Sequence, residues 1–479
     1  MGLVSLQNVE LNSEMRAKQE SEAASTTNNL KTSSYNYFIR YNDTNFFGYN
    51  FLYRSILRIP ADAFPFVDQF LRGLSSKSEG LGEVNSNPLR LPPQWLEALK
   101  EVHFVIDKSI DELSLIKFHY FRSLYANNSL SLIVLPTLWC NLACPYCFEF
   151  KKPIFMKSEV EDALINWIEK SFKNKRYVHI AWFGGEPLLA KKVIFRLTKR
   201  LQEFCNSIGA NYGASLTTNG YFLDQKFIEA IPSLSIKQVQ VTMDGDKADH
   251  DALKRKRNGE GSFDRVFQNI VTLCESVSDC NLLLRINCGD DNYNGIERLL
   301  ERFPPIVKAR ASVFFRWIWA NKASGYREFS ARRQGTGTES FQGLTKLEVA
   351  AKALGWHIYN SYNYNVGYCE VDFLDHYAIG PDGNVFLCTH TYENSESIGY
   401  LLEGRNVTRS NTIGKITRWY TVNPFNDAEC VICQLLPICC GGCRKARMEG
   451  GRSCIEEKKS LDLFVRSLVE ERLIPAAMA

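Results

Sequence analysis

Six short apolar runs, each closed by polar or glycine residues, alternate with stretches of helical periodicity through the middle of the chain. The runs begin near Leu130, Val178, Ala214, Gln238, Asn281 and Ser312. Between them lie Lys157–Phe172, Ala190–Cys205, Asp224–Ala230, Ser262–Val277 and Asn292–Phe303. Short apolar runs bounded by turn residues predict buried strands. Their alternation with helices predicts an α/β fold with a parallel sheet and crossover connections. Polar residues gather at the carboxyl ends of several runs, as in a βα barrel whose site lies at that end.

The flanks read differently. Met1 to about Ser34 is polar, rich in Ser, Thr and Asn, and predicts a disordered or surface-strapped tail (residues 1–34). Tyr35 to Ile59 is aromatic and strand-like, in two runs, Tyr35–Arg40 and Phe51–Ile59. A helix opening at Pro60 and running through Leu71 follows, then a helix near Trp95–Lys100, a strand at His103–Ile106 and a helix at Ile110–Tyr125. Together they predict a small α+β domain over 35–128, ahead of a barrel over 129–333. Gln334–Gly343, rich in Gly, Thr and Ser, reads as the linker into a Cys-rich C-terminal domain spanning 334–479.

Composition narrows the possibilities. The 479 residues have room for about three domains of ~150 residues. No apolar run approaches the ~20 residues a membrane span needs, and a net charge of +4 does not imply nucleic acid. The Lys254–Arg257 basic run reads as a solvated helix end or as a contact for an acidic peptide. Met1–Asn29 has no apolar core, cleavage-like site or basic start, so a cytoplasmic location is expected. Dense cysteine without an export signal points to metal rather than to disulfides.

The candidate chemistry begins at Cys140-Asn-Leu-Ala-Cys144-Pro-Tyr146-Cys147. Three thiolates so spaced can wrap one face of an iron–sulfur cube and leave its fourth iron open. Zinc would require a fourth ligand at similar spacing, and Glu149 is the only donor within a few residues. The remaining alternative is three cysteines packed as small hydrophobes. About forty residues on, a predicted strand runs into Gly184-Gly185-Glu186-Pro187, where two glycines allow a ligand close to the backbone. Glu186 can accept from an ammonium, or simply cap the next helix. Near the other end stand Cys369, Cys388, Cys430, Cys433, Cys439, Cys443 and Cys454. They read as metal ligands, with zinc or a disulfide framework as alternatives. Cys205, Cys274, Cys280 and Cys288 lie in apolar barrel segments and read as core; Cys440, beside Cys439, reads as a small buried residue or a swap-in ligand.

The Cys-x3-Cys-x2-Cys segment followed by Gly-Gly-Glu-Pro resembles the radical S-adenosylmethionine (SAM) enzymes. In that family the open iron is chelated by SAM, and one electron splits the sulfonium to release a 5′-deoxyadenosyl radical. The resemblance implies a partial (β/α)6 barrel and a SAM site made by Tyr146, Gly184, Gly185, Glu186 and Pro187, with Glu186 at the SAM amino group. It adds Thr218 and Asn219 from a Thr-Asn-Gly element, and Thr242 and Asp244 from an element with Thr in place of Ser. Arg285 would face the SAM carboxylate or ribose. The family's Arg three residues beyond Asp251 is here Lys254, which leaves that contact unassigned.

The C-terminal cysteines resemble the SPASM extension of radical SAM peptide-modifying enzymes, which implies three 4Fe-4S clusters in all. Cys430, Cys433, Cys439 and Cys454 would hold the distal auxiliary cluster, and Cys369, Cys388 and Cys443 the proximal one. Some relatives supply a fourth proximal ligand six residues after the first. Here that residue is Asp375, flanked by His376, so one of them ligates or an iron stays open. The implied activity is that of a peptide maturase that oxidises or cross-links side chains of a ribosomally made precursor, leader plus core. A low-potential donor such as flavodoxin or ferredoxin would supply electrons, and no nucleic acid or membrane is implied. A strand edge in the N-terminal unit would capture the leader by β-addition, or the unit merely caps the barrel. The alternative activity is that of the anaerobic sulfatase-maturing type, in which an Asp follows the Cys equivalent to Cys388 and acts as base. Thr389 and His390 stand there instead, leaving His390 and Asp375 as candidate catalytic groups. A non-catalytic cluster scaffold or electron carrier is the third reading, and an intact Gly-Gly-Glu-Pro argues against it.

Overall fold

The computed structural model describes residues 3–5, 29–76, 91–126, 128–147, 149, 151–289, 292–318, 337–359, 369–390, 396–403, 412–452, 454–455, 458 and 460–473. Most of the predicted tail and residues 334–336 of the predicted linker fall outside them.

The N-terminal unit contains strands β1 (Leu3–Ser5), β2 (Leu30–Thr32), β3 (Asn36–Arg40), β4 (Asn45–Asn50) and β5 (Ser55–Pro60), helices α1 (Phe64–Ser76) and α2 (Pro93–Glu101), strand β6 (Val105–Asp107) and helix α3 (Glu112–Leu124). Its main sheet has the order β1-β5-β4-β3, and β2 pairs with β6. The aromatic stretch read as two strands is three. Buried Asn50 turns the chain at Phe51–Arg54, its side-chain oxygen accepting from the amides of Leu52 (3.0 Å) and Tyr53 (2.9 Å), an Asx turn that competes with continued strand. Both faces of this sheet are covered. Leu57 and Ile59 pack on Val67, Leu71 and Leu99, while Phe47, Tyr49 and Ile56 pack on Leu435, Phe464 and Val465 from the far end of the chain.

The barrel follows the predicted alternation. Strands β7 (Ser129–Val134), β8 (Tyr177–Trp182), β9 (Asn211–Thr218), β10 (Ile236–Met243), β11 (Asn281–Cys288) and β12 (Ala311–Trp317) lie side by side in chain order, all parallel. Helices α4 (Ser158–Ser171), α5 (Lys191–Ile208), α6 (Gln225–Ala230), α7 (Lys247–Leu253), α8 (Phe263–Ser276), α9 (Tyr293–Arg302) and α10 (Pro305–Arg310) join them. Along β7 and β8 every second residue is buried: Leu130, Leu132 and Val134, then Val178, Ile180 and Trp182, pack outward on the helices with Ile194 and Leu197. Each such aliphatic side chain contributes about 1.5–3 kcal/mol when fully buried. The alternate positions face a polar lumen, with Ser131 in register with His179, Thr217 with Gln240, and Thr242 with Arg285.

Helix α11 (Gly337–Ala353) occupies the position of the predicted linker, because Leu344, Leu347 and Ala351 fall on one helical face and are buried in the barrel core. Beyond it β13 (His357–Ile358) extends the sheet past β12, while β14 (His376–Ile379), β15 (Asn384–Phe386) and β16 (Gly399–Tyr400) extend it past β7. The barrel is therefore an open ten-stranded sheet, with β14 parallel to β7 and β15 returning antiparallel. Helices α12 (Ile413–Thr421), α13 (Ala428–Val431), α14 (Leu436–Cys439), α15 (Arg444–Met448) and α16 (Leu461–Leu473) complete the chain. Gln434 donates to the Asn36 carbonyl and Arg466 to those of Arg40 and Tyr41, each at 3.0 Å, so the outer edge of β3 is covered from the C-terminus. The outer edge of β5 carries β1. The main sheet of this unit thus ends at β1 on one side and at β3 on the other.

Candidate active site at the barrel rim

The segment that carries Cys140 leaves β7 by crossing over Gly184 and Gly185. A methyl group on Gly185 would stand 2.4 Å from the Trp139 carbonyl oxygen and 2.6 Å from that of Leu138, and one on Gly184, at φ +111°, would meet the Thr137 oxygen at 2.4 Å. The close approach that these glycines allow is therefore made by the chain itself. Gly185 and Glu186 donate their amides to Thr137 (3.2 Å) and Trp139 (2.8 Å).

The cysteine loop is held from the far side by the basic run. Leu142 forms an antiparallel bridge with Lys256. The Ala143 amide donates to Arg255 O at 2.9 Å, and the Arg257 amide to Asn141 O at 3.1 Å. Arg257 Nε also donates to the Cys140 carbonyl at 2.8 Å, its guanidinium 3.9 Å over the Trp139 ring. This run is a clamp on the loop rather than a solvated helix end.

Glu186 is fully buried. It caps the turn after it by accepting from the Leu188 amide (3.0 Å), and it accepts from Thr218 Oγ1 (2.7 Å) and the Asn219 amide (2.8 Å). Burial pushes its carboxyl up, and those donors with Lys254 work against the shift. Asn219 turns its amide to Cys140 Sγ (3.6 Å) and Asn141 Oδ1 (2.9 Å). This one carboxylate thus caps a turn and ties two strand ends beneath the cysteine loop.

Asp244 is fully buried and bonded to the Tyr146 hydroxyl, while Asn287 Nδ2 donates to both at 3.2 Å. Arg285 Nε donates to Asn287 Oδ1 at 2.9 Å. Thr242 lies half-buried beside Arg285 in the lumen. Asn287 escaped the sequence reading, although it lies two residues from Arg285 on the same strand face and period two points to it. Buried Asn292 and His250 support the same corner: Asn292 donates to the carbonyls of Asp244 (2.9 Å) and Asn287 (2.8 Å), and His250 Nδ1 accepts from the Asp244 amide (3.4 Å).

Burial pushes the Cys140 thiol up to about 12, with Glu186 adding to the rise. Burial also raises Cys144, opposed by Lys254 and Lys151. Glu149, just past Cys147, is pushed by burial up to about 8, and neither of its buried oxygens has a partner among the described residues.

At the far end of the chain Cys430, Cys433, Cys439 and Cys454 line one pocket with Arg452 and Lys458. Cys388 and Cys443 lie within each other's field, and a buried Asp372–Arg444 ion pair at 2.9 Å links the chain near Cys369 to the residue after Cys443. Among the described residues no trio of Cys, His, Asp or Glu converges tightly enough for a single ion. The thiols line spaces instead, and their softness and grouping fit iron–sulfur clusters.

Because β15 runs antiparallel to β14, Cys388 returns toward the amino end of the sheet, whereas Cys140 leaves its carboxyl end. Cys140 and Cys388 thus lie toward opposite ends of the sheet. His390 lies past Cys388 and is held below the usual histidine range by desolvation, Lys445 and Arg285. Asp375 and His376, the candidate ligand and catalytic groups, have partners on the barrel. Asp375, at φ +58°, is ion-paired with Lys175 at 2.5 Å. His376 is buried, with Nδ1 3.3 Å from Ser131 Oγ. Both are engaged with the barrel wall, and the charges acting on Cys388 come from Cys443 and Lys445. Cys205, Cys274, Cys280, Cys288 and Cys440 are buried as expected.

Residues 134–303 match the Radical SAM superfamily. The chain is 24% identical over 348 residues to a cysteine-type anaerobic sulfatase-maturating enzyme of Clostridium novyi (strain NT), covering 66% of this chain and 88% of that one. It is 22% identical over 329 residues to a serine-type anaerobic sulfatase-maturating enzyme of Klebsiella aerogenes, covering 64% and 76%. A structure of native anSMEcpe with bound AdoMet shares the fold at a TM-score of 0.52 and 19% identity, over 73% of this chain and all but 1% of that one, at 99%.

Proposed function

Because the barrel is a radical SAM domain with a Cys-rich extension, we propose that this protein is a peptide maturase. It oxidises one side chain of a ribosomally made precursor and joins it to a neighbour through a carbon–carbon, ether or thioether bond. One observation carries the reading: the Cys140 loop, Glu186 with Thr218 and Asn219, and Tyr146 with Asp244 and Asn287 meet on one rim of an open polar lumen, with Cys388 at its other end.

When bound, SAM and a cluster on Cys140, Cys144 and Cys147 supply a hydrogen-abstracting radical, and clusters on the C-terminal cysteines supply an electron acceptor. The chain's own residues hold and aim. Arg257 and the Gly184–Gly185 crossing fix the cysteine loop from two sides. Tyr146, Asp244 and Asn287 lock the rim corner, and Arg285 offers its guanidinium to a carboxylate. Cys430, Cys433, Cys439 and Cys454 would hold the distal cluster, and Cys369, Cys388 and Cys443 the proximal one, leaving a site there for another ligand. His390, neutral near pH 7, accepts the proton released when the substrate is oxidised.

A second reading, formylglycine formation on a sulfatase, is favoured by the two relatives; Thr389 in place of the expected Asp weighs against it. Anaerobic incubation of the holoenzyme with SAM, reductant and candidate peptides, read by mass spectrometry, separates them. A peptide two hydrogens lighter, with two residues linked and no aldehyde, is the expected product. A hydrazide-reactive aldehyde at a Cys or Ser of a sulfatase peptide would establish the second reading.

A further inference from the structure

Asn219 directly follows β9 and is buried, and hydrogen bonds fix it on three sides. Its backbone amide donates to Glu186 Oε2 at 2.8 Å. Its Oδ1 accepts from the Tyr221 amide at 3.0 Å, closing an Asx turn. A backbone N–H can only donate, so that bond settles which arm of the carboxamide is oxygen. Nδ2 therefore takes the other side, and it donates to Asn141 Oδ1 at 2.9 Å and to Cys140 Sγ at 3.6 Å. The same sulfur accepts a second N–H, from the Leu142 amide at 3.4 Å. Among the described residues no N–H is bonded to the sulfur of Cys144 or Cys147. Asn141, next to Cys140, also holds a buried Nδ2 without a partner among the described residues. Donors therefore outnumber acceptors on the Cys140 side of the loop. A neutral thiol is a weak acceptor, whereas an anionic sulfur makes charge-assisted bonds. This surroundings suits negative charge on Cys140 Sγ.

We propose that Asn219 is a positioning residue that tunes the cluster: its carboxamide N–H bond to Cys140 Sγ draws charge from that sulfur and raises the reduction potential of the cluster it ligates. The inference rests on the radical SAM reading. In the step concerned one electron passes from a low-potential donor to the cluster, no covalent bond forms or breaks, and no proton moves. The cluster becomes one unit more negative, and an N–H aimed at a ligand sulfur favours that state. Such partners behind the ligands tune a metal site as well as orient it. Glu186 holds the Asn219 backbone, so the donor is anchored on the carboxylate that the resemblance puts at the SAM amino group.

The test is a reductive titration of the reconstituted full chain without SAM, read by electron paramagnetic resonance. The signal followed is the one that SAM alters in a parallel sample. Wild type is compared with Asn219→Leu and Asn219→Ser, with iron content and SAM binding by equilibrium dialysis recorded for each. Leu removes both the donor and the turn acceptor. Ser keeps a hydroxyl for the Tyr221 amide but is too short to reach Cys140. The expected result is a midpoint shifted to more negative potential in both variants at full iron content. Unchanged midpoints in both would overturn the proposal, and a fall in SAM affinity beside them would make Asn219 a SAM contact instead. A shift in the Leu variant alone would credit the turn and overturn it as well. Loss of that cluster from both variants would assign Asn219 to assembly, with the same consequence. A wild-type chain at full iron with no SAM-responsive signal would bring down the radical SAM reading itself, and the proposal with it.

Discussion

His376, a candidate ligand in the sequence, is buried at the edge of the barrel sheet. It sits at the first position of β14, buried, with Nδ1 near Ser131 and Nε2 unpartnered among the described residues. Burial, with a smaller contribution from His179, pushes it down to about 4 from 6.5. Between those values the unfolded chain binds a proton that the folded chain refuses, so stability falls as pH drops from about 6.5 toward 4. Over that interval the loss reaches about 3 kcal/mol. Urea unfolding of His376→Asn is expected to show a flatter acid limb than wild type; parallel limbs would mean that His376 does not carry the effect. At this scale the sequence offered its candidates by residue type. It named Cys140, Glu186, Asp244 and Arg285 from their motifs. It passed over Asn287 and the clamp of Arg255 and Arg257, because no local pattern says which distant backbone a loop residue will meet.

Among the elements, helix α15 and the turn around Asp372 are joined by one buried ion pair. Arg444 and Asp372 have side-chain exposures of 2% and 7%, and Arg444 also bonds the Trp419 carbonyl (3.1 Å) and the Tyr120 hydroxyl (2.7 Å) of α3. Removing one partner of a buried pair leaves an uncompensated charge, which costs about 3–5 kcal/mol. Arg444→Met is therefore expected to lose that much in denaturant unfolding, and Arg444→Met with Asp372→Asn to recover part of it. Additive single losses would show that the pair is not coupled. Barrel strands and helices were legible to within a few residues because their periodicity is strong. The linker was not: Gln334–Gly343 is rich in Gly, Thr and Ser, and its later part continues a helix that Leu344, Leu347 and Ala351 anchor in the barrel core.

For the molecule as a whole, changing Cys140, Cys144 and Cys147 together to Ala leaves the C-terminal cysteines untouched. Iron analysis after anaerobic reconstitution is expected to find about eight atoms per chain, two cubes. About four would mean that one auxiliary set is incomplete, and zinc without iron would make the C-terminal region a structural zinc fold. The sequence by itself determined the alternating barrel, the open three-thiol loop and the identity of the C-terminal cysteines. These follow from period, spacing and side-chain chemistry, all local properties of the chain. Only the tertiary structure decided that the C-terminal region adds strands to both edges of the barrel sheet and shares a core with the N-terminal unit. Only it buried Lys254 and brought Asp375 to Lys175 across 200 positions of chain. Partners so distant in sequence are chosen by packing and by the pairing of buried charge, which exist only once the chain has folded.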